Sequence, residues 1–298
     1  MTEELKTKIK KLIEEKHFEE AIKLCDEAIE KDNKDEDAYF QKASCYFELK
    51  DYNTAIEELN KVIELNPNYE KAYFNRGLSK SYLKMYKEAL EDFDFSIKLN
   101  PNIDRTYFEK SIILFDIERY EEAIINLHKA IELNPNYEDA YFNIGSCQLE
   151  LKNYEESIKY FNKVIELNPK NEYAYFNIGL SKIEQKNYED AIKYFNEVLK
   201  LNLKEEGAYY NIAYSKIIIK KYEEAIIYIE KFIELNPNDE NIYYLMAGCQ
   251  YDLKKYNAAI EYYDKVIKLN HSNKYPYFIK SICKIYLNNE NAIEDFRS

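Results

Sequence analysis

The chain has 298 residues, with 42 basic and 55 acidic side chains and a net charge of −13, which disfavours nucleic acid and anionic membrane as partners because binding there relies on Lys and Arg releasing bound cations. Only 5 Gly and 6 Pro occur, too few for a fold that reverses direction roughly every 8 to 12 residues or cradles phosphate in clustered glycines. No apolar run approaches the roughly 20 residues that cross a bilayer, the mean hydropathy is −0.63, and the opening Met1–Lys16 stretch lacks the apolar centre of a secretion signal. The expectation is a cytoplasmic protein.

A period of 34 residues organises the chain. Prolines stand at 67, 101, 135, 169 and 237, and Leu203 fills the skipped place. The same step returns Tyr39, Tyr73, Tyr107, Tyr141, Tyr175, Tyr209, Tyr243 and Tyr277, each followed by Phe or Tyr, and an alanine series from Ala21 to Ala259 with Ser157 in one slot. The repeats are therefore 2–35, 36–69, 70–103, 104–137, 138–171, 172–205, 206–239 and 240–273, with a partial ninth over 274–298, together a single array over 1–298.

In chain order, the first repeat carries Ile9 at its eighth place, where later ones carry a small residue, and presents Lys6, Lys10 and Lys11 where later ones carry aromatic or apolar groups, as a terminal cap requires. Repeat 138–171 shows the pattern clearly. Tyr141, Ile144, Gly145 and Leu149, then Tyr154, Ile158, Phe161, Val164 and Ile165, recur at helical spacing, so each repeat is predicted as two helices. Asn153 and Asn187, followed three residues on by Glu156 and Asp190, are predicted to cap second helices. Small eighth-place residues, among them Ala43, Gly77 and Gly179, let paired helices approach at the short end of the interaxial range. The eighth repeat has His271 for Pro. The ninth loses a residue near Asn289 and stops after Phe296, which predicts a truncated second helix and a partly exposed end face, a candidate contact for a homo-oligomer.

A large aromatic (Tyr141), a small residue (Gly145), a turn aromatic (Tyr154), then Ala, an aromatic (Phe161) and Pro (Pro169) resemble the signature of the tetratricopeptide repeat (TPR) family over essentially the whole chain. The resemblance implies an all-α, right-handed superhelical solenoid of about eight and a half helix-turn-helix units. Its concave wall would be formed mainly by first helices, with places two, five, six, nine, twelve and thirteen inward. Place six then reads Thr7, Gln41, Asn75, Glu109, Asn143, Asn177, Asn211, Leu245 and Ile279. An amide both donates and accepts, so Asn75, Asn143, Asn177 and Asn211 resemble the asparagine ladder by which some members hold a peptide backbone. Asn is used lavishly throughout, so the row also reads as solvated polar positions. Leu180, Ile183, Tyr210, Tyr214, Ile217, Ile218, Leu245 and Tyr251 would form an apolar stretch of wall able to take an apolar segment, unless some pack between neighbouring helices. The family's clamp for chaperone C-terminal carboxylates is matched only partly, by Lys6, Lys10, Gln41, Lys71 and Asn75.

Chemistry finds no foothold. Four of the five cysteines, Cys45, Cys147, Cys249 and Cys283, share the tenth place, a register property that with Cys25 reads as buried thiols. His17, His128 and His271 fall at three different places and cannot share an ion or a proton. Carboxylate pairs Glu121/Glu122 and Glu223/Glu224 open second helices, where they favour the helix dipole. No metal, cofactor or catalytic residue is expected. The reading is a non-catalytic scaffold or adaptor binding an extended peptide or helix of another protein; the alternatives are a regulatory or substrate-targeting module of a separate enzyme and a self-assembling array.

Overall fold

The computed structural model describes residues 1–287. Seventeen α-helices and no strand occur among them, and they divide at Cys147/Gln148, inside one helix, into two compact units. In Met1–Cys147 the pairs are α1 (Glu3–Glu14) with α2 (Phe18–Lys31), α3 (Glu36–Glu48) with α4 (Tyr52–Leu65), α5 (Glu70–Tyr82) with α6 (Tyr86–Leu99) and α7 (Asp104–Asp116) with α8 (Tyr120–Leu133); α9 (Glu138–Glu150) carries the division. In the second unit follow α10 (Tyr154–Leu167), then α11 (Glu172–Glu184) with α12 (Tyr188–Leu201), α13 (Glu206–Ile218) with α14 (Tyr222–Leu235), α15 (Glu240–Asp252) with α16 (Tyr256–Leu269), and α17 (Tyr275–Tyr286). Within each unit consecutive helices pack on one another. The shortened end of the ninth repeat, with Asn289 and Phe296 and the contact expected there, lies outside the described residues.

Helix starts follow from short polar side chains. Asp35 accepts from the Ala38 N–H at 3.1 Å, Asn171 from Ala174 at 3.0 Å and Asn187 from Asp190 at 3.3 Å. Asn153 departs from expectation: its side chain makes no capping bond, because the amide donates instead to Gln148 Oε1 at 2.9 Å. Most repeats then end their second helix on an Asn whose side chain folds back into an Asx turn, as in Asn168 Oδ1 accepting from the Lys170 N–H at 3.1 Å, and in the first repeat Asp32 does the same to the Lys34 N–H at 3.0 Å. Asn236 Nδ2 also donates to Glu206 Oε2 at 3.0 Å, tying that loop to the preceding first helix. Part of the chain's heavy use of Asn is thus structural.

The turn inside each repeat was not legible in the sequence. Its second-last residue before the second helix adopts positive φ in eight repeats, near 60°, and the occupants are seven lysines and Glu118 rather than glycine. Lys50 shows why the conformation is imposed: its N–H donates to Phe47 O and that of Asp51 to Tyr46 O, both at 2.9 Å, satisfying two carbonyls that the helix end leaves open. An L-residue pays about 1–2 kcal/mol there, partly offset by the smaller unfolded-state entropy of a side-chain-bearing residue. Lys186→Gly is therefore expected to raise the unfolding free energy by about 0.5–1 kcal/mol, read as a higher denaturation midpoint; a fall would show that the lysine itself contributes stability.

The seam between paired helices is set by places 8 and 24. Phe93, Phe195, Leu59, Leu127 and Ile229 at place 24 are fully buried, and glycine faces phenylalanine at Gly77 with Phe93 and Gly179 with Phe195, against Ala43 with Leu59 and Ala213 with Ile229, while the eighth repeat pairs Ala247 with buried Tyr263. A Cβ on Gly179 would lie 2.7 Å from Phe195 Cζ, and on Gly77 3.0 Å from Phe93 Cε1. In the Gly/Phe and Ala/aliphatic repeats a larger partner thus goes with a smaller one, as close packing requires, and only the eighth repeat combines alanine with an aromatic.

Polar cross-links reinforce the first unit. Lys42 Nζ bonds Asp26 at 2.9 Å and Glu58 at 2.8 Å, and Lys110 Nζ bonds Asp94 at 2.5 Å, so a place-seven cation reaches the place-25 acid of the preceding repeat. Burial works against the Lys42 charge, but the two carboxylates outweigh it and hold its pKa above the ordinary lysine value. Arg76 and Lys80 both close on buried Asp92, at 2.5 and 2.6 Å. In the second unit place seven turns apolar at buried Ile178, Ile212 and Met246, the cation returns at Lys280, which bonds Asp264 at 2.6 Å, and place 23 carries Tyr160, Tyr194, Tyr228 and Tyr262.

Candidate functional site

In the Met1–Cys147 unit the aromatic after each repeated tyrosine builds the candidate surface. Phe40 of α3 and Phe74 of α5 wall a cavity of about 260 Å³ between successive first helices, closed by Ile103 and edged by Glu70, Lys71, Asn75 and Arg105. The rings are held from behind: Phe40 lies 5.1 Å from Tyr69, and Phe74 lies 5.8 Å from Phe93. The Arg105 guanidinium sits 5.5 Å from the Phe74 ring centre, and its Nε donates to Glu109 Oε1 at 3.3 Å. Burial pushes the Glu109 carboxyl up, against the lowering effect of Arg105. Lys6, expected at a clamp position, is spent inside the protein: it donates to Asp37 Oδ2 at 2.7 Å while the Tyr69 hydroxyl donates to Oδ1 at 2.9 Å. Asn143 on α9 is half-buried.

In the second unit comparable cavities recur at the same place. Tyr173, Phe176 and Val198 line one of about 160 Å³ edged by Glu172 and Glu205, and Tyr244 and Tyr275 line one of about 360 Å³ edged by Glu240, Asn241 and Asn273. The ladder residues Asn177 and Asn211 are half-buried on α11 and α13. Each donates one N–H to its own helix, Asn177 to Tyr173 O and Asn211 to Gly207 O, both at 2.8 Å. The amide planes are thereby oriented, and each amide keeps its second N–H and its carbonyl oxygen as further hydrogen-bonding capacity.

The expected apolar wall is shared between core and surface. Leu180 and Ile183 pack against the cluster around Phe195 and Ile212, and Tyr210, Ile217 and Leu245 against that around Ile229, Phe232 and Met246. Tyr210 lies 6.1 Å from Phe232, and burial, then Asp239 and Tyr214, push its pKa up. Tyr251 belongs to an aromatic group, 5.7 Å from Tyr256 and 6.3 Å from Tyr286. Tyr214 stays half-buried, and Ile218 is 43% exposed. The fifth-place aromatics, which wall the cavities, were legible as a repeated Phe or Tyr; the sequence did not say that they would open pockets rather than fill the core.

Other reactive groups are quiet. All five cysteines are buried free thiols. Burial pushes Cys25 and Cys249 up to about 12 and Cys45 and Cys283 to about 11, so thiolate chemistry at neutral pH is suppressed. Glu122 pairs with Arg119 and Glu224 with Lys216 at helix starts. Among the described residues no group of three His, Cys, Asp or Glu could hold a metal, and no helix is long and apolar enough to cross a membrane.

Paired helices in a 34-residue register, nesting through small residues and opening cavities between first helices, define an all-α repeat protein. Family models described as tetratricopeptide repeat match residues 12–75, 70–103, 138–171 and 172–204, and one described as TPR repeat matches 113–152; the chain belongs to the tetratricopeptide repeat family. Residues 220–293 are similar to the family of anaphase-promoting complex, cyclosome, subunit 3. No match was found among the curated proteins. Among solved structures, the C-terminal part of a TPR repeat-containing protein from Cytophaga hutchinsonii shares 22% identity over 80% of this chain and 97% of its own, with a TM-score of 0.70. YrrB, described as a TPR protein with an unusual peptide-binding site, shares 24% over 62% and 95%, TM-score 0.56, and MamA 25% over 56% and 91%, TM-score 0.53. The fold generally mediates protein–protein interaction, and proteins built on it are typically non-catalytic scaffolds.

Proposed function

We propose that the protein is a non-catalytic scaffold or adaptor that takes an extended peptide or helix of a partner protein against the faces of its first helices. The observation that carries this reading is the recurrence of an aromatic-walled cavity on first helices that bear a place-six amide: Phe74 and Asn75 line one together, and Phe176, which walls another, is followed in the chain by Asn177. Aromatic walls bind side chains without regard to main-chain sequence, and an oriented amide pairs with a peptide unit. Asn75, Asn143, Asn177 and Asn211 would engage the backbone; Leu180, Tyr210, Tyr214, Ile218, Leu245 and Tyr251 would supply the apolar contact.

A crosslinking pull-down tests it. A reproducible partner is expected, and Asn143→Ala combined with Asn177→Ala should weaken its capture about tenfold, since each net hydrogen bond contributes about 0.5–1.5 kcal/mol, without lowering the melting temperature. Full-strength capture by the double variant would remove the amides from the mechanism. Recovery of self-complexes alone would remove the adaptor reading.

A further inference from the structure

Lys71 and Arg105 occupy the second residues of α5 and α7. That is the end of a helix where the dipole repels cations, and the acidic first-turn residues Glu36, Asp37, Glu138 and Glu240 show the arrangement that folding favours. The opening acids Glu70 and Asp104 of the two helices offset that cost in part, and both cations stand on the rim of the apolar cavity walled by Phe40, Phe74 and Ile103, where Glu70 accepts from the Ser96 hydroxyl at 2.5 Å. Neither is fully neutralised from within. Lys71 is exposed and makes no ion pair with a described residue, and Arg105, whose side chain is 63% exposed, reaches Glu109 only through one bond of 3.3 Å.

We propose that this cavity, resting on the groove reading above, selects an internal acidic segment of a partner protein, one whose apolar side chain enters between Phe40 and Phe74 while a carboxylate two residues away pairs with Lys71 or Arg105. In an extended chain residues i and i+2 share a face, about 6.5–7 Å apart, so the anchor and the acid reach the same rim together. An internal segment is favoured over a chain terminus because the rim offers one neutral amide, Asn75, and a terminal carboxylate needs several fixed donors around its two oxygens. Glu109 competes with the ligand for Arg105. The corresponding cavity in the second unit is edged by Glu172 and Glu205 with no cation in its lining, whereas Lys71 and Arg105 outnumber Glu70 here, so it would reject the same segment.

The probe is the blocked peptide acetyl-Ser-Glu-Ser-Leu-Ser-Glu-Ser-amide, titrated into the full chain at low salt and followed by calorimetry, beside versions with both Glu changed to Gln, with Leu changed to Ser, and with a free C-terminal Leu but no Glu. The Glu peptide is expected to bind about tenfold more tightly than the Gln peptide. Lys71→Gln with Arg105→Gln should abolish that preference while leaving the melting temperature equal or higher, and Glu109→Gln should enlarge it. Equal binding of Glu and Gln peptides, or a preference that survives the double variant, overturns the proposal and leaves the groove reading standing. A cation-dependent gain confined to the free-terminus peptide overturns it in favour of a terminal carboxylate. Absence of binding by every peptide removes both readings.

Discussion

Asp92→Ala is expected to cost about 3–5 kcal/mol of stability, the range for removing one partner of a buried ion pair. The Asp92 side chain is 3% exposed and is the shared acceptor of two cations, with Arg76 bidentate through Nε at 2.9 Å and a terminal nitrogen at 2.5 Å, and Lys80 Nζ at 2.6 Å. Arg76 and Lys80 are themselves 17% and 14% exposed. Deleting the carboxylate leaves both charges half-buried with one neutral contact, Arg76 to Asn60 Oδ1 at 2.7 Å. Denaturant unfolding should show the loss, and Asp92→Ala in an Arg76→Met, Lys80→Met background should cost far less, because no stranded charge remains. A loss below about 1 kcal/mol in the wild-type background would mean that the site is solvated as a surface pair is.

Phe195→Ala is expected to cost about 3–5 kcal/mol as a large core truncation. The sharper form of that experiment is a cycle with Gly179. Gly179→Ala alone places a methyl 2.7 Å from the Phe195 ring, and overpacking of that kind costs about 1–3 kcal/mol, partly offset by the roughly 0.5–1 kcal/mol that alanine gains over glycine inside a helix. Gly179→Ala with Phe195→Leu recreates the Ala213/Ile229 type of seam and should unfold at a higher denaturant concentration than either single variant. Additive effects would show that the two places do not share one volume.

The helices and their 34-residue spacing could be read from the chain because apolar periodicity and a repeated tyrosine are local patterns. The helix start at Asn187 followed from the same kind of local signal, whereas the Asn153 side chain makes no capping bond and its amide donates to Gln148. The positive-φ lysines were hidden for a different reason. Glycine ordinarily marks that conformation, and here the hydrogen bonds of the helix end impose it on a residue whose side chain gives no hint. The fifth-place aromatics were visible as a row, but whether a ring fills a core or walls a pocket depends on the distance between neighbouring first helices, which no single repeat encodes. Likewise the places of Tyr251 and Leu180 left open whether they face the groove or pack between helices, and in the fold Tyr251 lies 5.7 Å from Tyr256 and Leu180 packs against the cluster that contains Phe195.

The ion pairs of Met1–Cys147 also bear on how such a gene can lengthen or shorten. Because Lys42 depends on Asp26 and Lys110 on Asp94, adjoining segments of this half are matched like keyed bricks, and splicing out residues 70–103 would bring Lys110 opposite Asn60 in place of an acid. Excision of a whole period is geometrically silent yet electrostatically audible, so duplications would survive most readily downstream, where Ile178, Ile212 and Met246 make successive segments interchangeable at that position.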